Sequence, residues 1–324
     1  MSRKRLCFYA ALYLATTIGA TAAQAKERVN LIYASISGLF LGTWVAQEAG
    51  YFDRENLEVN LIYIQSASTA LQAMLAGEAP LALAGGEPVV ESGLKGGDAV
   101  FVAGISVVPA VHVMAVPEIR SVQDLRGKPV GVTRYGSSTD YAMRQVLRIN
   151  GLEPVRDVPV LQISGGHRAL AAALLKRAVY AATIAPPNSL RAEKGGAKLL
   201  IDMAKSGIYF PYSSIISTRS YLKKNRPTVV AFLTGYSEGL KRMVNDKKLS
   251  IATLRKHMRE EDPEVLETIY KYALDYIVRV PHPTREGIAE VLRQSTDPKA
   301  KSMSPESFID DSIVRELEQK GFYR

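Results

Sequence analysis

Short apolar runs alternating with helix-length segments constrain this chain more than any other feature. Residues 29–33 form a compact apolar run suited to a strand buried on both faces. After a loop at 34–38, residues 39–49 have helical spacing and stop at Gly50. Leu57, Val59, Leu61 and Tyr63 alternate as a second strand, and Thr69-x-x-Gln72 opens a helix that ends at Gly77. Residues 81–84, a helix across 88–95, and 100–103 continue the series. A second series begins after Pro117, where Ser121-x-x-Asp124 caps a short turn. It predicts strands at 158–163, 179–184 and 198–201, with helices at 166–177 and 188–194 before Gly195-Gly196. Units of this length imply parallel sheets covered by helices, and two series imply two α/β lobes. From Thr218 onward the pattern is almost all helical, with a cap and a first-turn Pro at Asp262-Pro263-Glu264 and Ser304-Pro305-Glu306. No low-complexity tract or fixed-period repeat interrupts it.

Within the second series, a β-branched run (Val130, Val132, Thr133) gives way to Gly136-Ser137-Ser138-Thr139 and then to a helical pattern ending near Asn150-Gly151. Such a turn aims unpaired backbone N–H groups and hydroxyls at one spot, where an anion or a polar ligand head can sit. The segment is nearly a phosphate loop, but Ser137 stands where the lysine belongs. Nothing reaches the outer phosphates, so nucleotide hydrolysis is rejected.

The N-terminus carries a targeting pattern. Ser2-Arg3-Lys4-Arg5 is a positive segment, residues 6–18 are mostly apolar, and Ala23-Gln24-Ala25 has the A-x-A form of a cleavage site. Residues 1–25 therefore read as a cleaved signal peptide, its apolar core too short to anchor the chain in a membrane. The single cysteine, Cys7, lies too far upstream of the cleavage site for lipidation. The mature chain would have no disulfide, no lipid anchor and no thiolate metal site, which points to the periplasm. Hydrophobic content of 47% and charged content of 23% suit a globular chain long enough for two lobes. Of the net charge of +9, three charges leave with the leader. The remaining Lys and Arg are interspersed with acids, as at Arg255-Lys256 beside Glu260-Glu261-Asp262, which excludes the basic, aromatic-laced face of a nucleic-acid binder.

Three segments carry a family resemblance: Val45-Ala-Gln-Glu-Ala-Gly-Tyr-Phe-Asp-Arg-Glu-Asn-Leu-Glu-Val59, Ala70-Leu-Gln-Ala-Met-Leu-Ala-Gly77, and Ser121-Val-Gln-Asp-Leu-Arg-Gly-Lys-Pro-Val-Gly-Val132. They resemble periplasmic substrate-binding proteins of ABC importers, in the branch of nitrate, sulfonate and taurine receptors and binders of thiamine-pyrimidine precursors. The resemblance runs from about Val29 to the C-terminus. It implies a type II periplasmic-binding-protein fold: residues 26–113 and 213–324 in one lobe, 114–212 in the other, each with a mainly parallel sheet flanked by helices. It also implies a small-molecule ligand, an ABC permease as partner, no cofactor and no catalytic residues, on a monomer that is neither membrane-inserted nor bound to nucleic acid.

In such sheets ligands sit beyond the carboxyl ends of the strands. That rule selects Ser35, Ser37, Gly38 and Phe40 after the first strand, Gln65, Ser66 and Ser68 after the second, Gly86 and Glu87 after the third, and Ser106 after the fourth. In the other lobe it selects Arg134, Gly136, Ser137, Ser138 and Thr139, then His167, then Asn188. Each has a plainer alternative. Ser66–Thr69 and Ser137–Thr139 also fit helix caps; Arg134 fits a rim salt bridge as well as a counter-charge; His167 fits a structural role as well as a neutral donor. His112, His257 and His282 lack any metal-ligand spacing.

The chain departs from the family pattern at two places. Tyr180 stands where relatives carry an acid, and Arg177 where glycine is common. Glu87 places a carboxylate in the cleft, which either pairs with Arg134 or turns away. A ligand with an anionic head and a larger hydrogen-bonding or apolar body fits this set better than a bare dianion. Two other functions share the fold. One is a periplasmic sensor for a membrane kinase. The other is a thiamine-pyrimidine-type enzyme, disfavoured because its iron-binding cysteines have no counterpart here.

Overall fold

In the computed structural model, which describes residues 25–323, the chain builds two five-stranded mixed sheets. The expected signal peptide and Cys7 lie outside the described residues. The first series gives β1 (Glu27–Tyr33), α1 (Leu41–Glu48), α2 (Tyr51–Arg54), β2 (Leu57–Tyr63), α3 (Ala67–Leu75), β3 (Leu81–Ala84), α4 (Glu87–Leu94) and β4 (Ala99–Ser106). The second gives β5 (His112–Ala115), β6 (Val130–Val132), α5 (Ser138–Ile149), β7 (Val160–Gln162), α6 (Gly166–Leu175), β8 (Ala181–Ile184), α7 (Asn188–Lys194) and β9 (Lys198–Asp202). The chain then returns through β10 (Ser213–Thr218) to a helical tail of α8 (Arg219–Asn245), α9 (Lys247–Met258), α10 (Pro263–Tyr276), α11 (Arg285–Gln294) and α12 (Ser312–Gln319).

The strand orders are β2-β1-β3-β10-β4 and β7-β6-β8-β5-β9. Strand β1 runs parallel to β2 and β3, and β6 parallel to β7 and β8. In each sheet one strand is antiparallel to both neighbours, β10 between β3 and β4, and β5 between β8 and β9. These are the first strands after each passage between the sheets, and they are the two that the sequence periodicity does not announce. Strand β10 reads Ser-Ser-Ile-Ile-Ser-Thr, without alternation, because both of its faces are covered. The passages run from Ser106 to His112 and from Asp202 to Ser213.

The first sheet is sealed by α1 and α8, which cross so closely that a Cβ on Gly239 would lie 2.3 Å from the Gly42 carbonyl. Trp44, Phe101, Phe232 and Phe308 are fully buried in the resulting core, where truncating one aromatic typically costs about 3–5 kcal/mol. The departure at Arg177 has a local consequence. The helix ends of α3 and α6 are equivalent: Gly77 takes φ +90° after α3, and Arg177 takes φ +58° after α6. Arg177 thus adopts a conformation that favours glycine, and its guanidinium pairs with Glu118. The turn is preserved. Tyr180 lies under Lys128, whose Nζ is 5.6 Å from the ring centre. No helix among the described residues is long and apolar enough to cross a membrane.

Candidate functional site

Both sheets turn the carboxyl ends of their parallel strands toward a cavity of about 280 Å³ between them. The first sheet contributes Ser35, Ser37 and Phe40 after β1, Gln65 and Ser66 after β2, and Gly85 after β3. The second contributes Ser137, Ser138 and Thr139 after β6, His167 after β7, and Asn188 after β8. Ten of the sequence-derived candidates therefore meet at one place. The reason is topological: parallel strands put every strand-to-helix turn on the same edge.

The helix starts at this edge leave backbone donors free. Among the described residues, neither the Ser138 nor the Thr139 N–H finds an acceptor, and the first turn of α6 runs through Gly165 and Gly166, both at positive φ. Aligned peptide dipoles make such starts attractive to anions. Ser66, ahead of α3, holds φ +81° and ψ 135° without capping the helix through its side chain. A non-glycine residue rarely adopts that conformation, and such strain gathers at ligand sites.

One charged side chain borders the cavity: Arg168, exposed on the first turn of α6 and without an ion-pair partner among the described residues. Among the described residues no carboxylate lines it. Beside Arg168, His167 Nδ1 accepts a hydrogen bond from the Ala185 N–H at 3.2 Å, which leaves the ring proton on Nε2. Burial pushes its imidazolium pKa down to about 4, against a smaller opposing effect of the Thr183 backbone, so the ring is neutral at physiological pH. Ser213 adds a buried hydroxyl that has no partner among the described residues. Tyr63 and Tyr212 add aromatic walls.

The hydroxyls of the Gly-Ser-Ser-Thr turn are mostly engaged with each other. Thr139 Oγ1 accepts from the Thr133 N–H at 3.0 Å and lies 2.8 Å from Thr133 Oγ1. Ser137 Oγ donates to the Arg134 carbonyl at 2.7 Å, and the Gly136 N–H donates to Asp140. Ser138 Oγ turns away across the cleft and donates to Glu87 Oε2 at 2.7 Å.

Seven candidates stand off the cavity wall. A Cβ on Gly38 would point into Ile269, and one on Gly86 into Phe101 and Pro211, so both glycines mark close packing. Ser106 donates to the Val108 carbonyl inside the first passage. Ser68, Gly136 and Glu87 border a separate outer groove of about 680 Å³. Arg134 borders neither space, and among the described residues its side chain makes no hydrogen bond or ion pair. Glu87 does not pair with it; the carboxyl turns to Ser138 instead.

Sequence reasoning passed over Tyr63, Thr133, Arg168, Tyr212 and Ser213. Arg168 was within reach, since it follows His167 on the same helix start. Tyr212 and Ser213 belong to the return passage, where strand-end logic has no purchase.

The family described as "NMT1/THI5 like" has a model that matches residues 38–248, and the chain belongs to that family. A Bacillus subtilis (strain 168) protein, YtlA, named provisionally as a binding protein, is 21% identical over 74% of this chain and 74% of its own length. A solved structure from Bordetella bronchiseptica RB50 superposes with a TM-score of 0.78 at 20% identity, covering 92% of this chain and 98% of that one. The alkanesulfonate-binding protein SsuA from Xanthomonas axonopodis pv. citri, solved with MOPS bound, gives a TM-score of 0.68 at 20% identity, over 91% and 98% of the two chains. The family and the two-lobed fold agree with the resemblance read from the sequence.

Proposed function

We propose that this member of the NMT1/THI5-like family is an extracytoplasmic solute receptor. Its ligand is a small organic molecule with an anionic head, captured between the lobes 26–113 with 213–324 and 114–212, and delivered to an ABC permease. The observation that carries this reading is the charge pattern of the cavity: helix starts converge on it, and among the described residues Arg168 is its only charged wall residue and no carboxylate faces it. Negative charge is favoured there by both the helix dipoles and the guanidinium. His167, neutral and fixed in tautomer, and the unpartnered Ser213 hydroxyl supply uncharged polar contacts for the rest of the molecule. At about 280 Å³ the space lies at the low end of small-molecule sites, roughly 300–1,000 Å³, and exceeds what a bare oxyanion fills. That MOPS occupies the SsuA relative points the same way, since MOPS joins a sulfonate to a larger ring.

Affinity in this design comes from closing the lobes around the ligand, which shifts the population toward a closed form that a permease can recognise. An enzymatic reading has no thiolates to draw on, because Cys7 is the only cysteine in the chain. Thermal-shift screening across nitrate, alkyl and aryl sulfonates, aromatic carboxylates and pyrimidines tests the ligand class. Stabilisation by organic sulfonates or carboxylates is expected; stabilisation by nitrate alone would sink the organic-anion reading.

A further inference from the structure

Where the two lobes touch beside the cavity, the contact is made through Gly85, Glu87 and Ser138. A Cβ on Gly85 would lie 1.7 Å from Ser138 Oγ, so the start of α5 seats directly on the β3–α4 turn. Under that seat Glu87 is 4% exposed. Its Oε2 accepts the Ser138 hydroxyl at 2.7 Å, and its Oε1 is buried without a partner among the described residues. The seat also walls the cavity off from the outer groove, since Ser138 borders the one and Glu87 the other.

Among the described residues no cation pairs with this carboxyl. The titratable groups that feel its charge are Tyr141 on α5 and Tyr212 on the return passage, and burial together with Glu87 raises both phenols. Across the outer groove lie Glu91 and Lys95 of α4, and Asp140, Arg144 and Arg148 of α5. Asp140 and Arg144 are paired with each other at 2.7 Å. From α11, Gln294 faces the groove, and Arg293 acts on Tyr141 rather than on Glu87. An ionised carboxylate with one hydrogen bond, one orphaned oxygen and no counter-charge is disfavoured.

We propose that Glu87 is a proton-carrying latch: the lobes seat on each other only over its neutral carboxyl, so closure takes up one proton from solvent and opening releases it. Burial raises the Glu87 pKa to about 8 in the seated form, with the Ser138 hydroxyl only partly opposing it. With α5 lifted away, water reaches the carboxyl and an ordinary carboxylate value returns. Between those two values the open form releases the proton and the closed form keeps it. Closure is therefore strongest at low pH and is lost as pH rises toward 8. The proposal rests on the receptor reading only in requiring that the lobes separate.

The test uses the full chain with Cys7→Ser and spin labels on cysteines placed at the exposed Glu78 and Lys176, one on each lobe. Pulsed dipolar distances are recorded from pH 5 to 9.5, with and without MOPS as the probe. The expected result is a closed-to-open ratio that falls about tenfold per pH unit through pH 6–8 and becomes flat in Glu87→Gln. Gly85→Ala should stay open at every pH, because its new methyl meets Ser138. Ser138→Ala, which removes the donor from the opposite lobe without adding bulk, should lower the closed fraction at pH 6. A pH-independent ratio in the parent chain, the same pH course in Glu87→Gln, or normal closure of Gly85→Ala would each overturn the latch. If pH moves the distance and MOPS does not, the sulfonate-type ligand fails and the latch stands.

Discussion

Two helix starts in the second lobe face the same cavity and use opposite chemistry. The start of α5 is rich in hydroxyls, yet Thr133, Ser137 and Thr139 bind one another and Ser138 crosses to Glu87. The start of α6, Gly165, Gly166, His167 and Arg168, has few polar side chains; His167 Nδ1 is held by the Ala185 N–H, while Arg168 borders the cavity without a partner among the described residues. The lesson concerns competition. Small hydroxyls close to a backbone satisfy local donors first, whereas a long guanidinium with no acidic neighbour stays free to meet a ligand. On this comparison α5 shapes and seals the site, and α6 supplies its charge.

The largest effect is expected at His167. Its imidazolium pKa is about 4 in the folded chain, against about 6.5 when unfolded. Between these values only the unfolded chain binds the proton, so stability falls as pH drops from 6.5 to 4, on the order of 3 kcal/mol in total. His167→Gln should flatten that part of the pH profile, as read from urea midpoints at pH 4.5 and 7. An unchanged slope would mean that the ring is not enclosed as described.

Next in size is Thr139→Val, which orphans the buried Thr133 N–H and should cost about 1–3 kcal/mol of unfolding free energy. If α5 is mainly a sealing element, the loss appears in denaturant unfolding more than in ligand affinity. Arg168→Ala should do the reverse. Affinity for the anionic ligand found by screening should fall about tenfold, the size of one charge-assisted contact near solvent, with the unfolding midpoint unmoved. Arg134→Ala is the control, with a change below about twofold; equal losses at both arginines, read by titration calorimetry, would break the comparison. The smallest effect belongs to Ser137→Ala, about 0.5–1 kcal/mol for the hydrogen bond that its hydroxyl donates to the Arg134 carbonyl, since Thr133 and Thr139, which it also meets, keep each other as partners.

Much of the fold was legible. The strand and helix periods located β1 to β4 and β6 to β9 with their helices, and the strand-end rule drew ten of seventeen candidate residues to one cavity. The failures share a cause. Gly38 and Gly86 follow strands as ligand residues do, but their lack of a side chain serves packing against Ile269 and Phe101. Arg134 and Arg168 stand alike near strand ends, and only the direction of each side chain separates them.

The sequence by itself determined the periods, the turn chemistry and the family, because these depend on residues a few positions apart. It also determined that the chain has no thiolate beyond Cys7. Tertiary structure alone decided three things. The antiparallel insertion of β5 and β10 was one, since both strands are largely buried on both faces, leaving no alternation to read. The arginine that faces the cavity was another. The last was Glu87, which a linear reading left either paired with Arg134 or turned away and which packing placed under Ser138. In each case the deciding partner lies dozens of residues away, and long-range burial rather than local pattern selected among otherwise equal options.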